Sequence, residues 1–122
     1  MYAQVTTFDG PRSPELVAAG DVANRQRIQP TMRQDAEMQQ ALAVNLVLRR
    51  TDGAEMIVTV VDSVEALARG EQLVFGTELL PGEDPMLLPG PDRVETWSVV
   101  DAAIGGAAAA LLGAPVGDSG VR

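Results

Sequence analysis

What this chain lacks sets the first limit on its chemistry: none of its 122 residues is histidine or cysteine. That removes thiolate and imidazole metal sites, Ser-His-Asp and Cys-His nucleophile pairs, and histidine-ligated haem. No glycine-rich phosphate loop is available, because Gly105-Gly106 lacks the following lysine and the strand context. No two carboxylates stand out for general acid and base work, and Asp62-Ser63 reads as a helix cap. What remains is neutral hydrogen bonding and stacking. Asn45 interrupts an otherwise apolar run. A buried amide there must be hydrogen-bonded, to a ligand hydroxyl or water, or to a cross-strand or interface partner. Trp97, the only tryptophan, either stacks an aromatic ligand or fills a core or interface. Thr6 and Thr59 offer pocket hydroxyls or simply follow strand preference. Tyr2 can donate a proton or orient a ligand, or is an amphipathic strand residue. Arg25, Arg27 and Arg33 can clamp an anionic group or pair with surface acids.

The elements that must position these side chains follow from periodicity and punctuation. Residues 2–8 alternate and stop at Asp9-Gly10-Pro11, a strand and a turn. Ser13-Pro14-Glu15 is an N-cap, an N1 proline and an early acid, and Leu16, Ala19, Val22 and Ala23 follow at helical spacing. Pro30 either kinks this helix or separates it from a second segment. Residues 41–49 put Leu42, Val44, Leu46 and Leu48 on one strongly buried face of a strand. Asp52-Gly53 then turns into the β-branched run 55–61, which completes a hairpin. A second helix, capped by Ser63, runs to Phe75 with Gly70 at its middle. Prolines 81, 85, 89 and 91 make residues 76–92 a loop, and residues 93–101 alternate as a last strand. Residues 1–101 thus form one domain. The Ala/Gly-rich stretch 102–122 is a short helix packing on a neighbour, a linker carrying a docking peptide for a partner, or a disordered tail.

Strand, helix, strand, strand, helix, strand is the α+β ferredoxin-like order, a four-stranded antiparallel sheet with two helices on one face. The hairpin strands carry apolar residues on both faces, so the open side of the sheet calls for a second copy and hence a homodimer. All nine basic residues are arginine against seventeen acids, a net charge of −8 that argues against a nucleic-acid partner. No stretch is apolar enough to span a membrane and the first residues do not resemble a signal peptide, so a cytoplasmic protein is expected. The absence of lysine with abundant Ala, Val and Gly is consistent with GC-rich coding, as in actinobacteria.

The start Met1-Tyr2-Ala3-Gln4-Val5-Thr6, the pattern Ile28-Gln29-Pro30-Thr31-Met32-Arg33, and Ile57-Val58-Thr59-Val60-Val61-Asp62-Ser63-Val64-Glu65-Ala66-Leu67 together resemble the antibiotic biosynthesis monooxygenase domain family of the dimeric α+β barrel superfamily. The resemblance covers residues 1–101. It implies two sheets closed into a dimeric barrel, with each protomer's pocket between its sheet and its helices. It also implies a cofactor-independent monooxygenase binding a small apolar or aromatic molecule with no cofactor and no metal; the substrate-binding candidates are then Asn45, Trp97, Thr59, Thr6 and Tyr2, read from their own types and positions, and Val61, from its place in the family pattern. Val61 stands where many members carry a tryptophan, which removes a stacking surface. The haem-degrading members need a histidine ligand and a first-strand asparagine, whereas this chain has no histidine and offers Thr6 and Thr7. The alternative is a non-catalytic dimeric ligand-binding or interaction protein of the same fold.

Overall fold

In the computed structural model, which describes residues 1–111, the alternating runs join one sheet. Its strands are β1 (Tyr2–Phe8), β2 (Leu42–Arg49), β3 (Glu55–Val61) and β4 (Arg93–Ser98). The order across the sheet is β2-β3-β1-β4, with every neighbouring pair antiparallel. Because β1 lies between β3 and β4, only the β2–β3 connection is a hairpin. The other two connections cross over as helices, which is the ferredoxin-like α+β architecture. Gly53 closes the hairpin at φ 90°, a conformation that a residue with a Cβ resists.

The first crossover begins where Ser13 Oγ accepts the Leu16 N–H at 3.2 Å and Pro14 occupies the first turn of α1 (Pro14–Ala23). Pro30 does not end the helical path. The chain widens into a π-turn, Asn24–Ile28, in which the Gln29 N–H reaches back five residues to the Asn24 carbonyl, and then resumes as α2 (Gln29–Gln34). A proline lacks the N–H that would satisfy the carbonyl four residues back and its ring crowds that carbonyl; the wider turn sits where the relief is needed. Asp35 stops α2 and caps α3 (Ala36–Ala41), accepting the Met38 N–H at 3.0 Å. Arg69 of α4 (Val64–Phe75) grips the same carboxylate from Nε and Nη2 at 2.7 and 2.5 Å, which holds Asp35 below the ordinary carboxylate range.

These helices pack the core at one end of the sheet. Met38, Val61, Ala66 and Leu67 are buried together, with Tyr2, Leu42 and Leu73 packed against them. Gly70 of α4 faces the first crossover, where a Cβ would lie 3.4 Å from Met32 Cε and 3.6 Å from Met38 Cε, at ordinary van der Waals distances. Three expectations need correction. Residue 41 ends α3 instead of opening the strand, and β4 stops at Ser98 instead of residue 101. A register shift between Leu42 and Val44 also separates the four aliphatic residues of β2. Leu42 turns to the helices beside Val61, while Val44, Leu46 and Leu48 face away, and Leu48 stays 47% exposed. A single bulge residue reverses the side-chain parity on either side of it, so one sequence stripe becomes two.

Beyond β4 the chain runs irregularly to a short helix, α5 (Ala108–Leu111). The docking peptide expected at residues 116–122 lies outside the described residues. Among the described residues, no helix is long and apolar enough to cross a membrane.

Candidate functional site

Register sets the helix-facing side of the sheet residue by residue. Asn45, Thr59, Gln4 and Thr96 form one row across all four strands. The next row is Val47, Ile57, Thr6 and Val94, and on the other side lies Leu42, Val61, Tyr2 and Ser98. Thr59 Oγ1 donates to Asn45 Oδ1 at 2.6 Å, so the cross-strand hydrogen bond is the partner that the strand amide has. Asn45 Nδ2 keeps two N–H donors, and Gln4, Thr6 and Thr96 make no side-chain hydrogen bond among the described residues. Asn45 and Thr96 are exposed, whereas Gln4, Thr6 and Thr59 are half-buried.

The row at the hairpin end is charged and closed upon itself. Arg49 donates to Glu55 at 2.9 and 2.7 Å and to Asp21 of α1 at 2.6 Å, and Arg12 stands 4.0 Å from Glu55. Arg12 also lies over the Phe8 ring, 5.0 Å from its centroid. The polar rows therefore offer neutral donors and acceptors between aliphatic side chains, with their nearest charges already paired. Such a floor can hold a neutral molecule by its hydroxyl or carbonyl edges, and it contains no group that takes up a proton near neutral pH.

The structure brings Asn45, Thr59, Thr6 and Tyr2 to this one side of the sheet, with Tyr2 packed on the core cluster. Val61 is on the same side but 0% exposed, so it supports the core and presents no surface to a ligand. Trp97 is on the opposite side, paired with Ala3 and 57% exposed. The full thickness of the sheet separates its indole from Asn45, and the two cannot contact one small ligand in one protomer. Further across the sheet from Trp97 the open face carries Val58 and Val60 of β3 and Val44 and Leu46 of β2, none of them fully buried.

A concavity of about 500 Å³ lies apart from these rows, between the π-turn, α2 and the end of α4, lined among others by Arg27, Thr31, Gln72 and Thr77. Arg27 is committed there. Its Nε donates to Glu83 Oε1 at 2.9 Å and its Nη1 to Thr77 Oγ1 at 2.7 Å. Glu83 Oε1 also accepts the Leu80 N–H at 2.7 Å; that bond first, and then Arg27, hold Glu83 below its ordinary range. Arg25 is exposed and Arg33 donates to Gln29 at 3.0 Å, so the three arginines do not converge on one anion. Glu83 carries little signal in the sequence, where it is only an acid beside the Pro81-Gly82 turn. Among the described residues, no three acidic side chains gather as a metal ion would require.

With this geometry in hand, comparison places the chain among ferredoxin-like α+β proteins. A crystal structure of a dimeric ferredoxin-like protein from an uncultured marine organism superposes with a TM-score of 0.53 at 12% identity, covering 85% of this chain and 90% of that one. At that identity the likeness is one of fold. No protein-family model and no curated protein sequence matches the chain.

Proposed function

We propose that this protein acts as a homodimer that binds a small, largely apolar or aromatic molecule between sheet and helices, in the manner of the antibiotic biosynthesis monooxygenase domains it resembles. The observation that carries this reading is the row Asn45, Thr59, Gln4 and Thr96. Neutral hydrogen-bonding groups stand there, partly open to solvent, where a sheet sealed by helices would set aliphatic side chains. The open apolar face supports the dimer, because a second copy covers it by the same patch through a twofold axis. The marine neighbour is itself described as dimeric.

Cofactor-independent oxygenation asks little of such a site: it holds an electron-rich ligand away from water, and the ligand's own anion passes an electron to dioxygen. The floor has no base, so proton loss rests on the acidity of the ligand. The non-catalytic reading, a dimer that only binds, draws support from the complete burial of Val61 where catalytic members carry tryptophan. Native mass spectrometry of the protein purified from its natural host tests the binding reading. A dimer retaining a small aromatic molecule, lost in Asn45→Ala, supports it; an empty monomer refutes it. Dioxygen uptake by the loaded dimer then separates the enzyme from the binder.

A further inference from the structure

Chain placement beyond β4 is unlike the rest of the molecule. The Val99 N–H donates to the Met1 carbonyl at 3.0 Å, and among the described residues every later hydrogen bond is local, as in Ala108 to Gly105 or Ala102 to the Asp101 carboxylate. Yet the segment is apolar. Val100 is 93% exposed and Ile104 88% exposed, the two most exposed large aliphatic side chains among the described residues. Residues 102–111 carry no charge at all in a chain of net charge −8. An arm that leaves its own body with Val and Ile turned to water lacks a covering surface.

We propose that residues 99–111 form an arm that packs on a second copy of this chain, at the rim of the open sheet face. This rests on the homodimer proposed above and goes further, because it makes each protomer contribute a segment to the other. Three observations favour a second copy as the occupant. The arm is continuous with the open face, since Trp97 lies on that face two residues before Val99. Drawn out fully, the residues between β4 and α5 span roughly 20 Å or more, enough to cross a facing four-stranded sheet. Two chains this acidic repel, and an uncharged arm rich in Ala and Gly lets backbones approach without adding like charges to the contact.

The test uses the full chain. In sedimentation velocity across a dilution series, Val100→Asp with Ile104→Asp is expected to raise the dimer dissociation constant at least tenfold, with unchanged far-ultraviolet circular dichroism because neither side chain packs on its own body. Since the chain contains no cysteine, Ile104→Cys takes a single spin label. The label is expected to be immobilised in the dimer and mobile after dilution to monomer. A wild-type monomer at all concentrations would overturn the dimer and the arm together. A dimer unaffected by the double substitution would overturn the arm alone, as would a label equally mobile, or equally immobile, at every concentration.

Discussion

Gly53 gives the sharpest quantitative check on how this structure is held, because it closes the hairpin that carries Asn45 and Thr59. It stands at φ 90°, donates its N–H to the Arg50 carbonyl at 3.0 Å, and accepts from Arg12 Nη1 at 3.2 Å. An alanine Cβ there would meet the Arg12 carbonyl oxygen at 2.6 Å and Arg12 Cβ at 3.1 Å. Gly82 is a natural control: its φ is 89°, but nothing lies within 4 Å of a Cβ built on it. Positive φ costs an ordinary residue about 1–3 kcal/mol, and the stiffer unfolded chain returns about 0.4–1 kcal/mol. Gly82→Ala should therefore lose about 1 kcal/mol. Gly53→Ala bears the same cost plus a backbone clash of about 1–3 kcal/mol, for a total near 3 kcal/mol. In urea, with m about 1–2 kcal/mol/M for a domain this small, the two midpoints should differ by about 1 M or more at equal protein concentration. Equal midpoint shifts would refute the steric argument and show that the segment at Arg12 yields freely.

Three further outcomes follow from the same contacts. The Asn45–Thr59 bond is short but partly open to water, so a double-mutant cycle with Asn45→Ala and Thr59→Val should give a coupling of about 0.5–1 kcal/mol in urea melts. Met38 is 1% exposed, and Met38→Ala should cost about 2–5 kcal/mol, read as a lowered thermal midpoint. Asp35 is held below its ordinary value of 3.8, chiefly by Arg69. Its stabilisation is therefore complete above that value and is lost as pH falls through the lower folded one. Asp35→Asn, which keeps an acceptor for the Met38 N–H, should flatten the acid limb of the stability profile while the helix content at neutral pH is retained.

The order of elements was legible because each carries local signals: Ser13 and Ser63 as caps, Asp52-Gly53 as a turn, β-branched residues through 55–61. Elements blurred where two local rules competed. Pro30 carries a strong break signal, but the π-turn upstream absorbs it and the helical path continues. The four aliphatic residues of β2 read as one stripe until the bulge divides them. Candidate residues were legible as types and not as a constellation. Asn45 was marked by its polarity in an apolar strand, whereas Glu83 gave little sign, since its partner Arg27 lies 56 positions away.

By itself, then, the sequence determined that these residues supply no imidazole and no thiolate, the ferredoxin-like order of the elements, and the two-sided apolar character of the hairpin, because composition and period are local properties of the chain. Only the tertiary structure decided which residues share a surface. Alternation assigns faces within a strand, but register alone ties those faces together between strands, and a one-residue shift inverts them. That is why Asn45, Thr59 and Gln4 meet in one row on the helix side of the sheet while Trp97, equally prominent in the sequence, stands on the far side.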